Sequence, residues 1–145
     1  MNEYHIDEKT HSDTKKIKSK QPHVLLVDDD HLSLVSTSKI LEQLSCKVTA
    51  VSTGDEAISM MSEREYDLVL MDWHMPNKNG FETTKVIRKN EQREESTPII
   101  AHTSDEWENI SESCQEAGIT GYIHKGSSSQ ELDSLITFMK VGNLH

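Results

Sequence analysis

The chain has 145 residues and a formal net charge of −10 at pH 7, from 25 acidic and 15 basic side chains. This length is typical of one domain with a substantial core. The acidic balance argues against nucleic-acid or anionic-membrane binding by the whole surface, and no run approaches the ~18 apolar residues of a membrane span. It favours basic partners, or a site that needs a cation.

Residues 1–22 form a charged, Ser/Thr-rich leader that ends at Pro22. Its apolar content is too low for independent folding, so we expect a disordered polar leader, with a docking arm as the alternative. We expect the folded domain over residues 23–145. The leader lacks the apolar segment of a secretory signal. Cys46 and Cys114 lack metal-ligand spacing, which predicts two reduced thiols in a cytoplasmic protein.

The first buried strand is predicted from Val24 to Val27, and three carboxylates follow it directly: Asp28, Asp29 and Asp30. A helix is expected from about His31 to Leu44, with Asp30 as its cap. Its inward-facing side chains are predicted to be Leu34, Val35, Leu41 and Leu44.

A second strand is predicted from Lys47 to Val51. Thr53 and Glu56 then have the spacing of a capping box that opens the second helix. That helix carries Ala57, Ile58 and Met61.

The central strand is the apolar run from Leu68 to Met71, which ends at Asp72. Continuous apolar runs of this length are typical of strands that are buried on both faces. Breaker residues from Met75 to Gly80 separate this strand from a third helix that runs to about Lys89. Asp72 is therefore predicted to lie where a buried strand stops and a loop begins.

A fourth strand is predicted from Pro98 to His102, ending at Thr103. Apolar residues then recur at spacings of three, four and three, which predicts one face of a fourth helix that Gly118 ends. This face consists of Trp107, Ile110, Cys114 and Ala117. The outer face is acidic, with Glu106, Glu108, Glu112 and Glu116.

The fifth strand is predicted from Ile119 to His124, and Lys125 follows it. Ser128 and Glu131 again have capping-box spacing. The last helix is expected to bury Leu132, Leu135, Ile136 and Met139.

Five strands that alternate with five helices predict an α/β fold with a doubly wound parallel sheet and helices on both faces. A flavodoxin-like (βα)5 arrangement has the strand order 2-1-3-4-5. That order places strands 1 and 3 side by side. Asp28 and Asp29 would then face Asp72 at the carboxyl edge of the sheet, with Thr103 and Lys125 delivered to the same edge.

Converging carboxylates repel one another, and each close pair costs on the order of 4 kcal/mol at an effective dielectric near 20. Such a cluster persists when a cation binds in it or when its pKa values rise. Hard oxygen ligands suit Mg²⁺ or Mn²⁺. Asp is a known covalent acceptor of phosphoryl groups, and the Thr103 hydroxyl and Lys125 ammonium could each bind a further phosphoryl oxygen.

The chain resembles the receiver domain of two-component response regulators from His23 to about Val141. The resemblance rests on four motifs in order: VLLVDDD at 24–30, MDWHMPNKNG at 71–80, IIAHTSD at 99–105 and GYIHKG at 121–126.

The resemblance implies a role for each residue of the predicted site. Asp72 would be the phosphoacceptor, Asp29 a direct Mg²⁺ ligand, and Asp28 its partner acting through water or in support. The backbone carbonyl of His74 would be the third protein ligand. The switch hydroxyl, the phosphate-binding lysine and the switch aromatic would be Thr103, Lys125 and Tyr122. A passive, half-buried Tyr122 is the alternative for that side chain.

The chain departs from the family pattern at several positions. Gly126 stands where the family usually has Pro, commonly after a cis bond, and a cis bond before Gly is not expected. Asn79 replaces the usual Asp before the loop glycine. His74 and Asp105 stand two positions after the phosphoacceptor and the switch threonine, and the resemblance implies that they tune the lifetime of the phosphoryl group. A His there suggests a pH-dependent lifetime as a hypothesis.

The sequence therefore predicts a single-domain response regulator that is not an enzyme in the usual sense. A histidine kinase or a histidine phosphotransfer domain would phosphorylate Asp72, and no DNA-binding output domain is expected. The output would be onward phosphoryl transfer or a protein target bound by the face of helix 4, strand 5 and helix 5. No direct nucleic-acid or membrane binding is expected.

Two alternatives remain open. A haloacid-dehalogenase-type phosphatase would use Asp28 and Asp30, but it would leave Asp72 without a role. A receiver-like binding adaptor would ignore phosphorylation altogether, and Gly126 is the feature that favours it.

Overall fold

A computed structural model describes residues 21–91 and 96–142. Most of the leader predicted over residues 1–22 lies outside the described residues, so its disorder stays a prediction. Within the described ranges, none of the helices has the length and apolar character to cross a bilayer.

The core of the fold is a five-stranded parallel sheet with the order β2-β1-β3-β4-β5, which confirms the predicted order. The strands are β1 His23–Val27, β2 Lys47–Val51, β3 Leu68–Met71, β4 Ile99–Thr103 and β5 Gly121–His124. The helices are α1 His31–Gln43, α2 Gly54–Glu63, α3 Gly80–Asn90, α4 Trp107–Ala117 and α5 Ser128–Gly142. A short 3-10 turn, Lys125–Ser127, joins β5 to α5.

Apolar side chains cover both faces of the sheet, because the strands carry apolar residues at successive positions and successive side chains of a strand point to opposite faces. On one face the strands pack against α2, α3 and α4 through buried residues such as Ala57, Ile87 and Cys114. On the other face they pack against α1 and α5, where the buried helix residues are Leu41, Leu132, Leu135, Ile136 and Met139. The predicted core of α5 is thus confirmed.

Val35 does not face the core as predicted, because its side chain is 45% exposed. The inward stripe of α1 runs through Leu34, Thr37, Leu41 and Leu44, at spacings of three and four residues. One residue further along a helix turns the side chain by about 100°. Val35 is therefore rotated away from that stripe.

The helix caps agree only partly with the prediction. Asp30 caps α1 by accepting the Ser33 N–H, as expected. At α2 the Thr53 hydroxyl accepts the Glu56 N–H, but the Glu56 carboxylate accepts the N–H of Ser52, one residue before the cap. The capping box predicted at Ser128 is wrong, because Ser128 has helical angles, φ −67° and ψ −34°, whereas a cap residue is extended.

Candidate functional site

Three carboxylates meet at the carboxyl edge of the sheet. Val27 at the end of β1 pairs with Met71 at the end of β3, so Asp28 and Asp72, the residues that follow, leave the sheet side by side. Carboxylate oxygens of Asp28, Asp29 and Asp72 lie within 4.8 Å of one another. Asp28 and Asp72 are buried, whereas Asp29 is exposed. The sequence-predicted acidic cluster therefore forms, and it is open on the Asp29 side.

The charge of this cluster is divided unequally between its two buried members. Burial, and then the charge of Asp28, raises the pKa of Asp72 to about 7. Burial acts on Asp28 in the same direction, but hydrogen bonds from Lys125, Ser33 and the backbone outweigh it and hold the pKa of Asp28 below its usual value. In the absence of a metal ion, Asp28 therefore carries the negative charge near neutral pH and Asp72 is partly protonated.

Lys125 supplies the positive charge that faces these carboxylates. Its Nζ atom lies 2.7 Å from Asp28 Oδ2 and 3.7 Å from Asp72 Oδ2. The side chain comes from the first residue after β5, so the parallel sheet delivers it to the same edge as β1 and β3. The predicted meeting of Lys125 with the acidic cluster is thus present in the structure.

The donor set of the cluster fits a hard divalent cation. Clustered carboxylate oxygens are the ligands that Mg²⁺ prefers, and the exposed side of Asp29 leaves room for the water molecules that Mg²⁺ retains. Burial, and then the charge of Asp28, raises the pKa of Asp72, and a cation bound in the cluster would offset both effects. The backbone of His74 adjoins the cluster, with its N–H donating to Asp72 Oδ1 over 3.4 Å.

Thr103 and Tyr122 both bond to the backbone of Asp105 in the loop after β4. Thr103 is buried at the end of that strand, and its hydroxyl oxygen accepts the N–H of Asp105 at 3.3 Å. The Tyr122 hydroxyl donates to the carbonyl of Asp105 at 2.6 Å, and its ring packs against Trp107 at 5.3 Å between centroids. Tyr122 is only 3% exposed, so its ring lies inward and is more deeply buried than the passive alternative supposed, while its role as a switch stays a prediction.

Side-chain contacts that sequence reasoning did not foresee surround the site. The ring of His74 pairs with the carboxylate of Asp105, which joins the loop after β3 to the loop after β4. The indole N–H of Trp73 donates to the hydroxyl oxygen of Ser113 on α4 at 3.0 Å. Spacing carries no signal for such pairs, because each joins residues 31 or 40 positions apart.

Gly80 shapes the loop that follows the predicted phosphoacceptor. A Cβ atom at this position would lie 2.4 Å from the carbonyl oxygen of Asp72 and 2.8 Å from Cα of Trp73. These are backbone atoms that cannot give way. Asn79 caps α3 in a full capping box with Glu82, so the Asn that replaces the family's usual Asp still fills the cap.

A family model described as the response regulator receiver domain matches residues 24–137. The chain belongs to this family. Sensor protein GacS of Pseudomonas syringae pv. syringae is 33% identical over 122 residues, and transcription factor SKN7 of Saccharomyces cerevisiae is 38% identical over 119 residues. These matches cover 83% and 81% of the chain, which spans only 14% and 19% of the two relatives.

Solved receiver domains have the same fold. The receiver domain of sensor histidine kinase PA1611 from Pseudomonas aeruginosa PAO1, which holds a magnesium ion in its active site cleft, is 28% identical with a TM-score of 0.74. The receiver domain of the Francisella response regulator 1452 is 28% identical with a TM-score of 0.72. Each alignment covers 83% of this chain and 98% of the other.

The protein is therefore a receiver, the signalling module of two-component phosphorelay systems. This membership favours the receiver interpretation over both a dehalogenase-type phosphatase and a phosphorylation-independent adaptor. Receivers bind Mg²⁺ in an acidic pocket, and the Asp28–Asp29–Asp72 cluster is an acidic pocket of that kind. Relatives of this receiver include histidine kinases, such as sensor histidine kinase GacS of Pseudomonas protegens.

Proposed function

We propose that Asp72 is the phosphoacceptor of this receiver and that the donor is the phosphohistidine of a histidine kinase or a histidine phosphotransfer domain. The observation that carries the proposal is the position of Asp72, which ends the central strand beside Asp28 and Asp29 with Lys125 Nζ at 3.7 Å. A carboxylate in this position presents a nucleophilic oxygen beside carboxylates that would bind a cation, and the Lys125 ammonium contacts both Asp28 and Asp72.

Asp28, Asp29 and Asp72 would hold the metal ion, together with the backbone carbonyl of His74. Mg²⁺ is the ion we propose, and Mn²⁺ would fit the same oxygen donors. When bound, the ion neutralises phosphoryl oxygens and the excess negative charge of the cluster.

The protein's own groups would carry the remaining chemistry. A carboxylate oxygen of Asp72 forms the new P–O bond in line with the breaking P–N bond, whose electron pair goes to the imidazole nitrogen of the donor. Lys125 exchanges part of its contact with Asp72 for a phosphoryl oxygen. The Thr103 hydroxyl, which accepts the Asp105 N–H in this structure, would donate to another phosphoryl oxygen. By the same chemistry, the domain would catalyse only its own phosphorylation and dephosphorylation.

The output surface we propose is the face of α4, β5 and α5. Movement of Thr103 toward the phosphoryl group would disturb its bond with Asp105, to which Tyr122 also bonds. Tyr122 lies on β5 and packs against Trp107 at the start of α4, so both elements would respond. Glu108 and Glu112 are exposed on α4 and suit a basic partner, whereas the exposed Glu116 carboxylate lies 4.0 Å from Lys85 Nζ of α3. Onward transfer of the phosphoryl group is the alternative output.

We include a cytoplasmic location in this proposal. Its support is that Cys46 and Cys114 are both buried free thiols, as is usual in reducing compartments.

Intact-mass spectrometry after incubation with acetyl phosphate and Mg²⁺ tests the proposal. We expect a gain of one phosphoryl group that EDTA prevents and that Asp72→Ala abolishes. A gain that survives Asp72→Ala would contradict it. If wild type gains nothing although Mg²⁺ binds, the site binds metal without accepting a phosphoryl group. The binding-adaptor alternative then predicts the same partner affinity for wild type and Asp72→Ala.

A further inference from the structure

His124, the last residue of β5, contacts both the turn that carries Lys125 and the residue that precedes α4. Its Nδ1 atom accepts the backbone N–H of Gly126 at 2.8 Å, and its Nε2 atom lies 3.2 Å from Glu106 Oε2. Because Nδ1 is an acceptor, the ring proton of neutral His124 is on Nε2, where it points to the glutamate. The ring thus ties the turn after β5 to the start of α4.

The bond to Gly126 determines the shape of the turn that carries Lys125. His124 caps the 3-10 turn Lys125–Ser127 with a side-chain bond to the residue two positions ahead. Asn, Asp and Ser side chains make the same local bond when they cap helices and turns. The backbone of Lys125 lies between the two bonded residues, so this cap restricts the direction in which the lysine leaves the sheet.

Gly126 is matched to the His124 ring in two ways. A Cβ atom at position 126 would lie 2.9 Å from Nδ1 and 3.0 Å from Cε1 of that ring, so a larger residue would displace it. A proline, the usual family residue here, has no N–H for the ring to accept. All described peptide bonds are trans, including the one before Gly126. The turn is therefore held by a side-chain cap where the family pattern uses a proline.

We infer that His124 is a positioning residue for phosphoryl transfer, which acts by capping the turn that directs Lys125 toward Asp28 and Asp72. The inference rests on the proposed function of Asp72 and deepens it. It assigns no direct contact between His124 and the phosphoryl group.

Two substitutions separate the hydrogen bond from the bulk of the ring. His124→Phe keeps a ring of similar size but has no acceptor, whereas His124→Asn keeps an acceptor at the δ position without the ring. Loss of one partly exposed hydrogen bond shifts an equilibrium by about three- to tenfold. With acetyl phosphate and Mg²⁺, we therefore expect His124→Phe to slow phosphorylation by about that factor, and His124→Asn to stay within about twofold of wild type.

A double-mutant cycle with Lys125 tests whether His124 acts through the lysine. In the Lys125→Ala background, His124→Phe should change the rate by less than about twofold. Gly126→Ala in the wild-type background should slow phosphorylation about as much as His124→Phe. His23→Phe is the matched control, because that partly buried ring lies at the opposite end of the sheet and should leave the rate unchanged. Urea unfolding shows that each variant is folded.

An unchanged rate in His124→Phe would overturn the inference, and so would equal slowing by His124→Phe and His124→Asn. Equal slowing by His124→Phe with and without Lys125 would also overturn it. Failure of wild type to gain a phosphoryl group would instead refute the proposed function of Asp72, so the two failures are distinguishable.

Discussion

Lys125 and Asp28 form a close ion pair in the site, with 2.7 Å between Nζ and Oδ2. The Asp28 side chain is 1% exposed, so this contact neutralises a carboxylate that water does not reach. The same ammonium is 3.7 Å from Asp72, so it partly neutralises both buried carboxylates of the cluster. A lysine in this position competes electrostatically with a metal ion for the same negative charge.

Lys125→Ala should therefore tighten Mg²⁺ binding while it slows phosphorylation. Removing one positive charge near the cluster should raise the Mg²⁺ affinity by about three- to tenfold at pH 8 and low salt. The rate with acetyl phosphate should fall at least tenfold, because a phosphoryl oxygen loses its ammonium partner. Calorimetric titration and intact-mass time courses measure the two effects. Weaker Mg²⁺ binding in the variant would contradict the assigned role of Lys125.

Asp72→Asn should stabilise the metal-free protein, and the gain should depend on pH. Because the folded-state pKa of about 7 lies above the usual 3.8, the stability that protonated Asp72 gives is fully present below about pH 4 and is lost as pH rises through 7. The neutral amide avoids that loss. We expect the free energy of unfolding to rise by on the order of 2 kcal/mol at pH 8 and to be unchanged near pH 4. This figure is smaller than the pKa shift alone would give, because the amide also loses the charge contact with Lys125.

Urea unfolding in EDTA across this pH range measures that gain. A gain that is the same at pH 4 and pH 8 would show that ionisation of Asp72 is not its cause.

His102→Leu should stabilise the protein most at acidic pH. His102 is 2% exposed, its Nε2 atom has no hydrogen-bond partner among the described residues, and burial lowers its pKa to about 4. As pH falls from 6.5 toward 4, His102 becomes protonated in the unfolded chain but stays neutral in the folded protein. The free energy of unfolding of wild type therefore decreases. The stability of His102→Leu relative to wild type should therefore be greater at pH 4.5 than at pH 7.5 by on the order of 2 kcal/mol. A gain independent of pH would contradict this assignment.

Trp73 should report on the occupancy of the acidic cluster. Its indole is 4% exposed, follows Asp72 directly and is fixed by Ser113, so a divalent charge at Asp72 acts on a ring of defined orientation. In a Trp107→Phe background, where Trp73 is the remaining tryptophan, Mg²⁺ should quench the emission. Asp29→Ala should shift the titration to higher Mg²⁺ concentration. Unchanged emission while calorimetry detects binding would contradict this prediction.

Hydrophobic pattern predicted most of the fold because each buried strand is a continuous apolar run with a polar stop. The predicted strand order then placed Asp28, Asp72 and Lys125 at one edge of the sheet, because each of them directly follows a strand of the parallel sheet. The prediction that Val35 faces the core was wrong because it rested on the apolar side chain and not on the angular position of Val35 around α1. The Ser128 cap failed because the chain enters α5 through a 3-10 turn, and that turn is capped by His124.

The side-chain contacts around the site could not be predicted from the sequence. The pairs His74–Asp105 and Trp73–Ser113 depend on the orientations of side chains that meet only after the loops have packed. The inward position of Tyr122 likewise depends on the Asp105 carbonyl and the Trp107 ring. Local patterns record burial and turns, whereas these contacts join loops of different elements. The metal-ligand carbonyl assigned to His74 and the switch roles of Thr103 and Tyr122 stay predictions.

Chemical trapping of the phosphorylated protein tests most directly the claim that Asp72 is the phosphoacceptor. Borohydride reduces an aspartyl phosphate to homoserine, and peptide mass spectrometry then identifies the modified position. After incubation with acetyl phosphate and Mg²⁺, we predict homoserine at position 72 and unmodified aspartate at positions 28 and 29. Homoserine at either of those two positions, with Asp72 unmodified, would contradict the account.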